Sequence, residues 1–288
     1  MNPEEEIKEI LVSRASTIHD PAGRVLTVLE DASALEIAMT TGISVREVYI
    51  RALMQGIYPC RYIRNMESIT REEQLALAHA KVSVFGAGGL GGHVIGLLAR
   101  IGLGHLVVVD HDVFDETNLN RQVLCTRDTL RQPKSQVAAH AIASINPGID
   151  IDAYQMTIDT MNLTTLIRGS HAAVDALDNV ADRLALANAA KHCAIPLVHG
   201  ALAGFEGQVM TIFPEDAGLT LVYGDSANDE KPDMRPEALL GAPAVTPSII
   251  ASLQVMEVLK IILRRGKVLR NMLVHVDLEE GRIQELRF

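Results

Sequence analysis

The sequence predicts an α/β protein with a Rossmann-like, mostly parallel sheet, helices on both faces of the sheet, and an antiparallel extension. From Lys81 onward, short and continuously apolar runs alternate with segments of helical length, as in sheets that are covered on both faces. Residues 1–60 show helical periodicity instead. We therefore divide the chain into a small helical N-terminal module, residues 1–60, and a main domain, residues 61–288.

Two helices are expected in the N-terminal module, separated at Thr41–Ser44, where Ser44 suits the N-cap of the second helix. The spacing resembles a helix-turn-helix, whose second helix would enter the major groove of DNA. That helix carries Arg46 and Arg51, but Glu47 opposes their charge. A helical packing or substrate-docking module is therefore favoured over DNA binding.

The strands of the main domain are expected at the apolar runs 82–86, 106–110, 149–154, 172–176 and 196–200. Helical segments separate these runs, which is typical of a parallel sheet. The patterns at 207–213 and 273–286 change to the alternation of a hairpin and predict the antiparallel extension. Residues 214–247 are rich in proline and are expected to form a long, mobile loop, which in a compact domain is often functional.

The composition disfavours several classes of function. A formal net charge of −10 gives no overall attraction to nucleic acid, and the aromatic content of 3% disfavours a base-stacking surface. The apolar stretch 248–263 is short for a bilayer span and contains Glu257 and Lys260. The acidic N-terminus lacks the apolar core of a signal peptide. We expect a cytoplasmic protein with no membrane partner and no nucleic-acid partner.

A glycine-rich segment after the first strand of the main domain indicates a nucleotide site. Gly86, Gly88 and Gly89 lie between this strand and a helix, where backbone N–H groups can approach a phosphate at the positive end of the helix. Asp110 ends the next strand, and its carboxylate could accept hydrogen bonds from ribose hydroxyls. A glycine-rich packing turn alone would leave Asp110 unexplained.

Four polar residues favour a nucleoside triphosphate over NAD as the ligand: Asn118, Asn120, Arg121 and Lys134. Attack at the α-phosphorus builds negative charge on the α-phosphate and on the departing pyrophosphate, and cations stabilise that charge. An NAD enzyme has little use for two additional cations. Either cation alone would suit a solvated helix end, so the interpretation depends on their combination.

Asp178 and Asn179 follow another buried strand, at the edge where open α/β sheets bind ligands. A carboxylate at this position can hold Mg²⁺ against phosphate oxygens. The alternative is that one of these residues only caps the helix that follows.

The chain from about Arg61 to its end resembles the ThiF/MoeB/HesA family, the ubiquitin-activating-enzyme-like adenylating enzymes. The resemblance covers about four fifths of the chain and follows the order of the family. Its elements are RYIRN (61–65), GAGGLGG (86–92), VVDHD (108–112), NLNRQ (118–122), QPKSQVA (132–138), DALDN (175–179) and SLQVMEVLK (252–260).

The resemblance implies a role for each candidate residue. Gly89 would lie against the nucleotide, and Asp110 would hold the ribose. The residues that would bind the triphosphate are Asn118, Asn120, Arg121 and Lys134. Asp178 would coordinate Mg²⁺, and Asn179 would help to frame the site. Arg64 would reach across a homodimer interface, as an arginine finger, into the active site of the other subunit.

The resemblance also implies the reaction, in which ATP adenylates the C-terminal glycine of a ubiquitin-like sulfur-carrier protein ending in Gly-Gly. Such carriers serve sulfur transfer of the thiamine or molybdopterin type, and pyrophosphate is released. The attacking carboxylate is ionised near neutral pH and needs no general base, so positioning and charge neutralisation would dominate catalysis. Residues 214–247 would form a crossover loop over the carrier tail.

The sequence departs from many relatives at its cysteines. It contains no CxxC pair, so no structural zinc is expected, and residues 214–247 contain no cysteine to accept an acyl group or sulfur. The enzyme should stop at the adenylate unless Cys60 or Cys125 substitutes, and an inert thiol is the favoured interpretation of both. Cys193 is expected in the core, and His199 in the core or behind the site.

Other functions stay open at this point. The acceptor could be a small carboxylate or a tRNA base, although the lack of a basic patch disfavours tRNA. A regulatory homologue could bind nucleotide without turnover, but Arg64, Asp110, Arg121, Lys134 and Asp178 together favour an active enzyme. An NAD(P)-dependent oxidoreductase is the least favoured alternative.

Overall fold

The computed structural model describes residues 3–20, 22–224 and 236–288. The chain divides into two compact units. The first unit contains Met1–Ala80, Ala99–His105 and Ile142–Asp150. The second unit contains Lys81–Leu98, Leu106–Ala141 and Ile151–Phe288.

The first unit combines helices with a small sheet. Its elements are α1 (Pro3–Arg14), β1 (Ser16–His19), β2 (Val25–Leu29), α2 (Asp31–Thr41), α3 (Val45–Met54), β3 (Tyr58–Pro59), a 3-10 helix (Cys60–Asn65) and α4 (Arg71–His79). Strand β2 pairs antiparallel with β1 and parallel with β3. The sheet was not predicted, because β1 and β2 have only four and five residues and show no regular alternation of apolar and polar residues.

The predicted break between the two central helices is confirmed. Helix α2 ends at Gly42, whose φ of 76° lies in the left-handed region that glycine adopts without a steric cost. The Ser44 hydroxyl accepts a hydrogen bond from the Glu47 amide and so caps α3. Both arginines of α3 bond inside this unit, since Arg46 pairs with Asp150 and Arg51 pairs with Glu47.

The core of the first unit continues past residue 60. The apolar residues of α2 and α3 pack with Tyr62, which is 3% exposed and lies on the 3-10 helix. The RYIRN element therefore contributes to the same core as the N-terminal helices. The domain boundary at residue 60 stays a prediction from the sequence.

The second unit confirms the predicted sheet. Its strands are β4 (Lys81–Phe85), β5 (His105–Val109), β6 (Asp150–Tyr154), β7 (Ala172–Asp175), β8 (Leu197–Ala203), β9 (Glu206–Ile212), β10 (Met272–Asp277) and β11 (Arg282–Arg287). The strand order is β11-β10-β9-β8-β7-β4-β5-β6. Strand β7 pairs parallel with β4 and β8, whereas β8 to β11 pair antiparallel and form the predicted extension.

Helices accompany this sheet. They are a second 3-10 helix (Glu116–Asn118), α5 (Gly89–Ile101), α6 (Lys134–Ile145), α7 (Leu163–Ile167), α8 (Val180–His192), α9 (Thr220–Tyr223), α10 (Pro236–Leu240) and α11 (Val245–Leu263). The predicted loop 214–247 thus contains two short helices, and residues 225–235 lie outside the described residues. Short helices of this kind give too few turns for a periodic signal.

Helix α11 is long and apolar enough to cross a bilayer by length and composition, and 44% of that stretch is buried inside the protein. Its polar residues are bonded in the interior. Gln254 donates to the carbonyl oxygens of Asp175 and Val198, while the Glu257 carboxylate accepts from the hydroxyl of Thr211. Such hydrogen bonds are typical of a core helix, although the side-chain oxygen of Gln254 has no partner among the described residues.

Candidate nucleotide-binding site

A cavity of about 490 Å³ opens at the carboxyl ends of β4, β5 and β7. All of its lining residues belong to the second unit. The predicted site residues that line it are Gly86, Gly88, Gly89, Asp110, Asn120, Arg121, Lys134 and Asp178. The structure therefore brings together most of the residues that the sequence singled out. The site lies where open α/β sheets bind their ligands.

The glycines between β4 and α5 serve two different purposes. Gly86 has a φ of 94°, and a Cβ there would lie 2.4 Å from the carbonyl oxygen of Ala176, so the turn itself requires glycine. At Gly88 and Gly89 an added Cβ would meet only ordinary contacts. These two positions keep the cavity open in front of the N-terminus of α5. Free N–H groups at a helix N-terminus favour an anion such as phosphate.

Asp110 is fixed at the end of β5 by the backbone. One carboxylate oxygen accepts from the amide of Ala87 at 2.7 Å, and the other accepts from the amide of Asp112 at 2.8 Å. Burial raises the pKa of this carboxyl, although both amides act in the opposite direction. Each oxygen can accept a further hydrogen bond, so the geometry is compatible with the predicted ribose contact.

Two positively charged side chains, Lys134 and Arg121, line the cavity. Lys134 is 6% exposed, and its Nζ lies 2.9 Å from the half-exposed carboxylate of Asp112. The Arg121 guanidinium donates to the Thr117 carbonyl and to the Asn120 side-chain oxygen, both at 2.9 Å. These hydrogen bonds hold the guanidinium in place on the wall. The wall is therefore equipped to stabilise negative charge without large side-chain rearrangement.

Asn118 takes a different place from the other predicted residues. Its side chain is buried in the second 3-10 helix, where its oxygen accepts from the amide of Asp115 and completes a capping box. It is not among the residues that line the cavity. Its local role is to shape the turn that presents Asn120 and Arg121, while a contact with the nucleotide stays a prediction.

The structure separates the roles of Asp178 and Asn179. The Asn179 oxygen accepts from the amide of Asp182 at 2.9 Å, so Asn179 caps α8. Asp178 is exposed and lines the cavity, with the Asn179 amide 3.5 Å from its carboxylate. Mg²⁺ prefers carboxylate and phosphate oxygens and keeps several of its waters, and the exposed Asp178 carboxylate fits this requirement.

The sequence analysis did not identify Arg183, whose side chain supports the turn between β7 and α8. Arg183 is 5% exposed and donates from Nη2 to the carbonyl oxygen of Leu177 at 2.6 Å. Its Nη1 donates at 2.7 Å to the hydroxyl of Tyr223. Arg183 lies on the buried face of α8 with Leu186, and a charged residue at such an inward position was the available signal.

His199 lies in the core behind the turn. It is fully buried, and its Nδ1 lies 2.7 Å from the carboxylate of Asp175, which ends β7. The Tyr223 hydroxyl is 3.3 Å from Nε2. Together with Arg183, this hydrogen-bonded chain supports the segment 175–178 from beneath.

Burial of His199 makes stability depend on pH. Burial lowers the pKa of His199, although the Asp175 carboxylate opposes this shift, so the folded protein binds the proton less readily than the unfolded chain does. Below the ordinary value of 6.5 the unfolded chain binds the proton and folding is disfavoured. We expect His199 to reduce the free energy of unfolding between pH 7.5 and pH 5.5 by at most about 1.4 kcal/mol, the value reached when only the unfolded chain takes up the proton.

Urea titrations of wild type and His199→Gln at both pH values measure this contribution. The variant should lack this part of the pH dependence, whatever its stability at pH 7.5. An equal loss of stability on acidification in both proteins would assign the effect to other groups.

Cys60 and Cys125 show no sign of activation. Burial raises the pKa of Cys60, and the neighbouring carboxylates of Glu30 and Asp31 raise it further. Burial and Asp115 likewise raise the pKa of Cys125, whose Sγ lies 3.6 Å from the Asp115 carbonyl oxygen. A raised pKa lowers the fraction of nucleophilic thiolate at neutral pH. Neither thiol is among the residues that line the cavity.

Comparison with known proteins identifies the family of the chain. The family model of the ThiF family matches residues 61–288. The SAMP-activating enzyme E1 of Haloferax volcanii is 35% identical over 220 residues, which span 75% of this chain and 80% of that protein. The molybdopterin-synthase adenylyltransferase of Salmonella typhimurium is 34% identical over 222 residues, which span 75% of this chain and 86% of that protein.

A solved structure supports the same fold. The crystal structure of E. coli MccB aligns with a TM-score of 0.69 at 22% identity, over 79% of this chain and 69% of that one. The chain therefore belongs to the ThiF family and is an adenylyltransferase of the ThiF and MoeB type.

Proposed function

We propose that this adenylyltransferase uses ATP and Mg²⁺ to join AMP to the C-terminal glycine of a ubiquitin-like sulfur carrier ending in Gly-Gly. The observation that carries the proposal is a single cavity that combines an open helix N-terminus at Gly89, the cations Arg121 and Lys134, and the exposed carboxylate of Asp178. Relatives of this chain include the sulfur carrier protein adenylyltransferase of Thermus thermophilus, which supports a carrier protein as the acceptor.

In this proposal the carrier carboxylate attacks the α-phosphorus, and the bond from that phosphorus to the bridging oxygen of pyrophosphate breaks. The amides at the start of α5 would receive phosphate oxygens, and Arg121 and Lys134 would neutralise the charge that develops. Mg²⁺, when bound at Asp178, would supply further neutralisation of phosphate charge. No side chain needs to remove a proton, because the attacking carboxylate is already ionised.

A second cavity offers a route for the carrier tail. It has a volume of about 340 Å³ and shares Asp178, Arg183 and Leu202 with the nucleotide cavity. Leu240 of α10 also lines it, within the segment 214–247 that is predicted to cross over the tail. A tail ending in Gly-Gly has no side chains near its carboxylate, so it needs little space to pass from this cavity toward the α-phosphate.

The reaction of this chain would end at the acyl-adenylate. The raised pKa values of Cys60 and Cys125 support this proposal, since a thiol with a raised pKa is a poor acceptor at neutral pH. A separate sulfur donor would then consume the product. The proposal includes no structural zinc, because the sequence contains no pair of closely spaced cysteines.

The proposal also includes a homodimer in which Arg64 serves the site of the other subunit. Arg64 is exposed and is not among the residues that line the cavity of its own chain. Its side chain forms no hydrogen bond or ion pair with the described residues 3–20, 22–224 and 236–288. An exposed arginine that is held on a rigid turn can supply a positive charge to a neighbouring triphosphate.

Mixed dimers test the role of Arg64. We expect Arg64→Ala and Asp178→Ala homodimers to be inactive, and we expect a heterodimer of the two variants to recover about half of the wild-type exchange rate, because one of its two sites is intact. Differently tagged subunits allow the heterodimer to be purified before the assay. An inactive heterodimer would contradict action across the interface.

The function itself is tested by the exchange of labelled pyrophosphate into ATP in the presence of carrier proteins ending in Gly-Gly. Exchange is expected only with a carrier, and a carrier lacking its last glycine should fail. Exchange with a small carboxylate instead would identify a different acceptor. Tight binding of Mg–ATP without any exchange would indicate a non-catalytic nucleotide-binding protein.

A further inference from the structure

The residues around Arg64 are held in place by hydrogen bonds of their side chains. On the same 3-10 helix, the Tyr62 hydroxyl accepts from the Asn146 amide at 2.8 Å, and the Asn65 amide donates to Gln74 at 3.1 Å. Arg61 donates from Nη1 to the Ile145 carbonyl oxygen at 2.7 Å. All of these residues belong to the first unit. Arg64 alone among the charged residues of this helix projects into solvent.

A further contact, between Arg61 and Asp31, joins the 3-10 helix to the N-terminal helices. Asp31, the first residue of α2, accepts at Oδ1 from the Tyr49 hydroxyl at 2.6 Å and from Arg61 Nε at 3.0 Å. Its Oδ2 pairs with Arg61 Nη2, so the contact between carboxylate and guanidinium is bidentate. The Arg61 guanidinium also lies 6.0 Å from the centre of the buried Tyr49 ring. We call Asp31, Tyr49 and Arg61 the Asp31 clamp.

The clamp is well suited to fix an orientation. A bidentate contact between arginine and carboxylate restricts both rotation and translation, unlike a single ion pair. Burial alone would raise the pKa of Asp31, but the hydrogen bonds from Arg61 and Tyr49 outweigh it, and the pKa lies below its usual range. The Asp31 carboxylate therefore stays charged and bonded at neutral pH.

We propose that Asp31 is a positioning residue, which sets the orientation of the 3-10 helix through Arg61 and so aims Arg64 at the active site of the other subunit. The N-terminal module thereby takes part in catalysis without touching the nucleotide of its own chain. This inference rests on the proposed function, in which Arg64 acts in trans. A catalytic group that is misplaced by about 1 Å can cost on the order of 10²-fold in rate.

Asp31→Ala should lower the rate constant of pyrophosphate exchange about 10- to 100-fold while the KM for ATP changes less than about 2-fold, because the variant leaves its own cavity intact. Tyr49→Phe, which removes only one hydroxyl, should give a smaller loss in the same direction. Arg51→Ala is the matched control, since it breaks an ion pair on α3 outside the clamp and should leave exchange unchanged.

Mixed dimers separate positioning from general damage. A heterodimer of Asp31→Ala and Asp178→Ala should recover about half of the wild-type rate, because the intact cavity of the first subunit receives a correctly aimed Arg64 from the second. A heterodimer of Asp31→Ala and Arg64→Ala should not exceed the rate of the Asp31→Ala homodimer, because neither of its sites receives a well-placed arginine.

Failure of the first pair to recover would mean that Asp31→Ala damages its own subunit, and it would overturn the inference. Recovery in the second pair would overturn it as well. The heterodimer of Arg64→Ala and Asp178→Ala is assayed in parallel. If that heterodimer is inactive, action of Arg64 in trans is wrong, and the proposed role of the Asp31 clamp is wrong with it. If that heterodimer is active, the two heterodimers that contain Asp31→Ala decide whether the clamp positions Arg64.

Discussion

Replacing Asp178 with alanine is expected to lower pyrophosphate exchange about 10³-fold while leaving the melting temperature almost unchanged. The side chain is exposed, and within the described residues its one hydrogen bond is a long contact of 3.5 Å with the Asn179 amide. Its removal therefore costs little folding energy. It does remove the carboxylate proposed to hold Mg²⁺. Exchange rates and thermal unfolding on the same preparation measure both effects.

Asn179→Ala is the matched control for this prediction. Loss of the α8 cap should destabilise the protein by about 1 kcal/mol and lower the melting temperature by a few degrees. Its activity should stay far above that of Asp178→Ala. If Asp178→Ala instead lowers the melting temperature and leaves exchange intact, Asp178 has a structural role and the metal site lies elsewhere.

Lys134→Met is expected to reduce exchange about 10²- to 10³-fold, because a buried positive charge is lost from the wall that is proposed to face the triphosphate. Methionine can fill the space of the lysine stem, so packing is largely preserved. The partner Asp112 is half-exposed, and the loss of this ion pair should cost less than about 1 kcal/mol. Steady-state exchange kinetics and unfolding titrations measure the two quantities.

Lys191→Met controls for the loss of one positive charge. Lys191 lies on α8, donates to the Asp216 carbonyl oxygen at 3.3 Å, and is not among the residues that line the nucleotide cavity. Its replacement should leave exchange within about 2-fold of wild type, since it contacts no reacting group. Comparable losses in both variants would assign the effect to net charge rather than to the position of Lys134.

The sequence was most informative where local chemistry dictates geometry. Gly86 is needed by a left-handed turn, and Gly42 ends α2 in the same region of backbone conformation. Asp110 was predictable because it follows a continuously apolar strand into the glycine-rich turn. These signals depend on residues close in the chain, so one sequence is enough to detect them.

The features that the sequence did not reveal depend on contacts between distant residues. Strands β1 and β2 are too short, and their sequences alternate too irregularly, for a periodic signal. The inward position of Asn118 follows from its capping box with Asp115, and the pattern NLNRQ does not distinguish it from Asn120. The pairing of Asp31 with Arg61 joins two segments that are remote in the chain. Such contacts are set by packing of the whole unit.

The most direct test of the account is the intact mass of a carrier protein after incubation with this enzyme, ATP and Mg²⁺. The proposed reaction predicts a carrier heavier by one AMP, with the added group located on its C-terminal glycine by fragmentation. The adduct should be lost with Asp178→Ala and should not form on a carrier that lacks the last glycine. An unmodified carrier, under conditions where ATP binds and the enzyme is folded, would contradict the adenylation of a carrier carboxylate.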